Sequence, residues 1–248
     1  MLRLMVITAH PDDEAANFGG ALCLYHARSA ETCVLSLTAG TAATHRGDAQ
    51  SDEALGALRR TEFADSCEIL GVSRGIVLDY PDGQLDRQDV QRVVGDLTRH
   101  IRVFRPHVIL TFGSDGFVTG HADHAMASVF ATLAFHWAGQ SQRFSDQLGD
   151  RITPHRTHKL YYVTADFTLP GRPPIALAPA TTVLDIAPYM DTKIAAFRAH
   201  VSQSPLRQVF ESTMRKYEPR ELYHLTASVD IQVEALETDV FAGIVEHA

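Results

Sequence analysis

The chain of 248 residues has few cysteines, only Cys23, Cys33 and Cys67. An odd number in no ligand-type spacing excludes a disulfide framework and a thiolate-held metal. Two of the three lie inside apolar stretches, so they read as reduced core thiols in a cytoplasmic setting. No run of Lys or Arg occurs, and 22 basic against 30 acidic residues leave a net charge of -8. Nothing there suggests a nucleic-acid partner or an anionic membrane. No apolar run approaches the ~20 residues of a spanning helix, which speaks against membrane insertion. The opening "MLRLMVITAH" is too short and too soon followed by acids to read as a signal peptide. No internal repeat is found. The hydrophobic share of 45% and charged share of 21% are those of an ordinary globular protein.

What is present is alternation. Residues 2–8, 32–40, 75–80 and 107–113 read as short strands, the first two apolar on both faces as in a parallel sheet. Residues 14–29, 51–71, 86–104 and 121–138 read as helices. Ser51 or Asp52 caps the second and Gly71 ends it. This rhythm predicts an α/β protein: a three-layer, Rossmann-like fold with a mostly parallel twisted sheet and helices on both faces. The chain reads as a single domain, residues 1–248, with a doubly wound core over 1–138. Residues 139–248 loosen into polar and proline-rich segments with further strands (158–165, 181–187, 221–229) and helices (189–202, 205–217). They read as an elaboration that walls the substrate side. The segment from about 232 reads as an acidic terminal helix.

The first strand runs straight into "AHPDDE". In an open parallel sheet this is where ligands bind. A dinucleotide site needs glycines there, and carboxylates would repel a pyrophosphate. A divalent cation would instead neutralise the crowded acids, and imidazole plus carboxylate suits zinc, with iron(II) accepted by the same donors. A further ligand should come from another strand end. "TFGSDGFVTGHADH" (111–124) supplies it, since His121 and His124 lie three apart on one helical face with Asp123 between them. A lone "PDDE" would be a helix start with acids against its dipole. Two strand-end clusters together favour the metal.

These motifs resemble the LmbE-like (PIG-L) family of metal-dependent N-acetylglucosaminyl deacetylases. "AHPDDE" matches the first family motif, and "HADH" the second, where Ala122 replaces the family's usual proline. "RRTEFADSCEILGV", "DYPDG", "KIAAFRAHVSQ" and "ELY" resemble weaker signatures. The resemblance implies His10, Asp13 and His124 as metal ligands and Asp12 as general base. It implies a protonated His121 steadying the oxyanion, and Asp123 orienting a histidine. It suggests that Arg59, Asp82, His200 and Gln203 face the substrate. The plainer readings are an exposed, ion-paired Arg59, a turn aspartate at 82 and a structural His200. Glu14 reads as a structural first-turn acid.

The implied activity is removal of the acetyl group from an N-acetylglucosaminyl conjugate, a small-molecule partner. Alternatives are an amidase on a larger thiol–sugar conjugate, or a metal-binding homologue without turnover. The sequence leaves open whether copies of the chain form a homo-oligomer.

Overall fold

The computed structural model describes residues 1–169, 171–217, 219–230 and 236–245. The chain starts with β1 (Arg3–Thr8), α1 (Asp13–Ala27), β2 (Glu31–Thr38), α2 (Asp52–Leu70) and β3 (Arg74–Tyr80). It continues with α3 (Val90–Phe104), β4 (Val108–Thr111), α4 (Ala122–Ala138) and β5 (Lys159–Thr164). Then come β6 (Thr182–Asp185), α5 (Met190–Ala199), α6 (Arg207–Lys216) and β7 (Arg220–Ser228). The local signals act as expected: Ser51 Oγ accepts the Ala54 N–H at 3.1 Å, and Gly71 closes α2 at φ 71°.

The sheet order is β3-β2-β1-β4-β5-β7-β6. Strands β1 to β5 pair in parallel, and β7 runs antiparallel to both β5 and β6. The central strands β1, β2 and β4 are buried almost throughout, which explains why they lack alternation. The chain runs one way from β1 through β2 to β3, then back the other way from β4 to β5. The helices separate accordingly: α3 packs on α4, while α1, α2 and α5 pack together. The result is an α/β fold with a mostly parallel sheet. Because the chain leaves β1 and β4 in opposite directions, a crevice opens between their C-terminal ends.

Three expectations shift. Residues 86–104 are not one helix: Leu85–Arg87 form a single 3-10 turn, and α3 starts after Asp89, whose Oδ1 accepts the Arg92 N–H at 2.8 Å. The helix expected over 189–202 ends at Ala199, and Val201–Leu206, containing Pro205, continues as 3-10 helix. The acidic terminal helix is absent from residues 236–245, while 231–235 and 246–248 lie outside the described residues. In its place, Glu237 is buried, pairs with Lys159 Nζ at 2.6 Å and accepts the Tyr161 hydroxyl. The three cysteines are buried and free. Among the described residues no helix is long and apolar enough to cross a membrane.

Candidate active site

His10, Asp12 and Asp13 occupy the turn from β1 into α1, and His121, Asp123 and His124 the turn from β4 into α4. These are the two lips of the crevice. The first turn is tightly folded. Asp12 stands at φ 106°, a left-handed conformation disfavoured for a residue with a Cβ. The Asp13 carboxylate bends back to accept the His10 N–H at 2.8 Å. The second turn uses Gly116 at φ 76°, where a Cβ would lie 2.7 Å from the backbone of Gly120 and His121. Only glycine permits that approach, which seats His121 at the start of α4.

Ligating atoms of His10, Asp13 and His124 all lie within 4.8 Å of one another. Their hydrogen bonds fix which nitrogen faces the centre. Thr119 donates its hydroxyl hydrogen to Gly116 O at 3.2 Å, so at 3.4 Å it accepts from His124 Nδ1–H. His124 Nε2 then faces Asp13 Oδ1 at 3.2 Å. His10 Nε2 contacts Asp82 Oδ1 at 3.0 Å and Asp123 Oδ2 at 3.3 Å, which leaves Nδ1 toward Asp13 Oδ2 at 3.5 Å. Two imidazoles and a carboxylate converging on one point form a donor set that fits a divalent metal. The His124 ring stacks on Phe112 with centroids 3.9 Å apart, which fixes its plane.

Burial opposes charge on His10, yet Asp123, Asp13 and Asp82 together hold its pKa well above that of ordinary imidazole. Burial likewise opposes ionisation of Asp13, but His124 and His10 outweigh it and keep that carboxyl well below the usual range. At Asp12 burial wins, and the carboxyl is pushed up to about 6 despite the Arg59 guanidinium. His121 is held below ordinary imidazole by partial burial and by the neighbouring His10 and His124. These influences act against the protonated His121 that the resemblance implies. Its Nδ1 accepts the Asp123 N–H at 3.1 Å, so the neutral ring carries its proton on Nε2.

The four residues that the resemblance places against substrate each have protein partners. Arg59 is 2% exposed. Its Nη2 donates to Asp12 Oδ2 at 2.9 Å and to Pro11 O, and Nη1 donates to Gly40 O at 2.8 Å. It therefore pairs with neither Glu62 nor Asp65. Asp82 accepts the Ala42 N–H at 2.7 Å and contacts His10, so both carboxylate oxygens have protein partners. His200 is wholly buried, with Nε2 2.6 Å from Glu14 Oε1. Gln203 Nε2 donates to His45 O at 2.9 Å. Arg59 and Asp82 meet the crevice lips themselves, at Asp12 and His10, while His200 and Gln203 are held by partners behind them. Asp123, beyond His10, accepts the Gly83 and Leu85 N–H groups at 2.7 and 3.2 Å, tying the "PDG" turn to α4.

The sequence placed a substrate-side wall in residues 139–248, but the size and make-up of the cavity beside this cluster were not foreseen. A space of about 410 Å³ runs from Asp12, Asp13 and His124 toward α5, α6 and the strand ends of β5 and β7. Its walls come from distant segments, each of which reads as an ordinary amphipathic element. The one signal was the loosened pattern after residue 139.

Residues 5–135 match the family model described as PIG-L, GlcNAc-PI de-N-acetylase. The chain is 28% identical to the mycothiol S-conjugate amidase of Streptomyces coelicolor over 100% of this chain and 99% of that protein. It is 30% identical to the 1D-myo-inositol 2-acetamido-2-deoxy-alpha-D-glucopyranoside deacetylase of Mycobacteroides abscessus, over 81% of each chain. Among solved structures it resembles a conserved protein of Thermus thermophilus (TM-score 0.74, 26% identity, 94% of this chain and 98% of that one). It also resembles the N,N'-diacetylchitobiose deacetylase of Pyrococcus horikoshii (TM-score 0.77, 20% identity, 90% and 83%). A 4-carboxy-2-hydroxymuconate hydratase from Pseudomonas putida has the same fold (TM-score 0.68, 22% identity, 94% and 98%). The fold alone therefore does not set the reaction.

Proposed function

The chain belongs to the PIG-L (GlcNAc-PI de-N-acetylase) family, and from that premise we propose that it is a zinc-dependent hydrolase removing the acetyl group from an N-acetylglucosaminyl conjugate. The observation that carries this reading is the convergence of His10, Asp13 and His124 within 4.8 Å at the strand ends, with Asp12 beside them. These three residues would hold the ion, zinc or iron(II). When bound, it supplies Lewis-acid polarisation of the amide carbonyl and a lowered pKa for water. The chain's own groups do the rest. Asp12 takes the proton of the attacking water and returns it to the leaving nitrogen, a role in which burial helps by raising the carboxylate's affinity for that proton. Arg59 anchors Asp12. The neutral His121 donates Nε2–H to the oxygen as negative charge develops there, a contribution of about 3 kcal/mol. Asp82 and Asp123 orient His10. Residues 139–248 wall the substrate side.

The test is acetate release from a panel of N-acetylglucosaminyl conjugates by zinc-loaded protein, with Asp12→Asn beside it. Asp12→Asn should keep its metal and lose about 10²- to 10⁴-fold in kcat. Near-normal turnover by that variant would remove Asp12 from the mechanism. A second reading, cleavage of a larger amide, draws on the similarity to an amidase across the whole chain. Release of an acid larger than acetate identifies it.

A further inference from the structure

The cavity beside Asp12 is much larger than the acetyl group that the proposed reaction removes. A methyl group is about the size of a water molecule, roughly 30 Å³. The cavity's volume of about 410 Å³ falls among sites that enclose a ligand of drug size, about 300 to 1,000 Å³.

Its wall is more apolar than a pyranose by itself requires. A pyranose presents hydroxyls all round, and each must find a hydrogen-bond partner when buried. Here Phe117, Phe167, Met190, Phe197, Phe210 and Met214 supply much of the wall. Phe197 stacks on Phe210 at 4.0 Å, and Phe167 on Tyr217 at 4.7 Å, forming two aromatic platforms. The charged groups of the lining already have protein partners. Lys193 Nζ lies 2.5 Å from Glu221 Oε1, both buried. Arg220 pairs with Asp166 at 2.5 Å, and Arg172 Nη1 donates to Thr119 O at 2.8 Å. Thr164 Oγ1 donates to Ala178 O at 2.6 Å. Leu206 and Val209, which also line the cavity, are 40% and 52% exposed, so the apolar surface continues to the outside.

We infer that this cavity takes a bulky apolar group, an alkyl chain or an aromatic ring system, which the substrate carries next to the amide it presents to Asp12. The inference rests on the hydrolase reading and narrows its substrate class. The apolar group has two sources, the acyl side of the amide or the substituent on the sugar, and both present the same surface to Phe197 and Phe210.

Two homologous series separate them: N-acyl glucosamines from acetyl to decanoyl, and N-acetylglucosaminides with aglycones from methyl to octyl. In the series matching the true source, kcat/KM rises about fourfold per added methylene until the cavity is full. Leu206→Asp and Met214→Asp reduce that slope. Calorimetric binding of the corresponding products, carboxylates of two to ten carbons and alkyl glucosaminides, gives the same answer without turnover. If no substrate is cleaved but product affinity climbs with chain length, the hydrolase reading falls and the apolar cavity stands. If kcat/KM and product affinity are both flat with chain length in both series, the inference is overturned, whatever the turnover of acetylated sugars.

Discussion

Arg59 Nη2 lies 2.9 Å from Asp12 Oδ2, so the middle of α2 holds the turn between β1 and α1. The guanidinium fits because Gly40, at φ 67°, leaves room; a Cβ there would lie 1.9 Å from Arg59 Nη1. A lysine has one point charge and cannot serve Asp12, Pro11 O and Gly40 O together. Arg59→Lys is expected to lower kcat at least tenfold while zinc content stays normal. Gly40→Ala should do the same by displacing the fork, with an added loss of stability from its positive φ. Unchanged kcat in either variant, measured beside metal analysis, would show that Asp12 needs no such anchor.

The contrast between Arg59 and His124 shows what a linear sequence can reveal. The two clusters around His10 and His124 were legible because each lies in the connection that follows a strand of a parallel sheet, and the resemblance of "AHPDDE" and "HADH" to family motifs singled out His10, Asp13 and His124 within them. The doubly wound sheet was legible for a similar reason, since apolar runs without alternation mark strands buried on both faces. The destinations of Arg59, Asp82, His200 and Gln203 were not, because a side chain on a helix or turn goes wherever packing offers a partner. For Arg59 that partner is made available by a glycine nineteen positions earlier, at the end of a different element. The cavity was hidden still more deeply, since no single segment contains enough of it to leave a pattern.

Glu14 and His200 form an ion pair at 2.6 Å with neither side chain exposed, and Glu14 also accepts from Ser66 Oγ at 2.6 Å and from the Asp12 N–H at 2.9 Å. Removing the imidazole leaves a buried carboxylate short of a partner, at a cost of about 3 to 5 kcal/mol. His200→Ala should therefore lower Tm by roughly 10 °C. His200→Gln, which can still donate to Glu14, should lose less. KM should hold in both variants, because His200 touches no part of the crevice. A large rise in KM with unchanged Tm would return His200 to the substrate surface.

Far from the crevice, His155 sets a pH dependence of folding. It is 8% exposed, and Nε2 donates to Pro106 O at 2.7 Å. Burial pushes its pKa from 6.5 down to about 4, with Arg105 and Arg3 adding to the fall and the Pro106 carbonyl opposing it. The neutral ring is the folded form, so below pH 6.5 the unfolded chain binds a proton that the folded chain refuses. Stability is therefore intact above about 6.5 and drains away as pH falls toward 4. The loss attributable to this one group is about 2 kcal/mol at pH 5 and approaches about 3 kcal/mol below pH 4. His155→Gln keeps a donor for Pro106 O but cannot titrate. Urea unfolding of both proteins at about pH 7.5 and about pH 5 checks this: the variant should lose about 2 kcal/mol less than the parent between the two values. Equal losses would mean that His155 takes up its proton in the folded protein as readily as in the unfolded chain, and the refusal argued from its burial would be wrong.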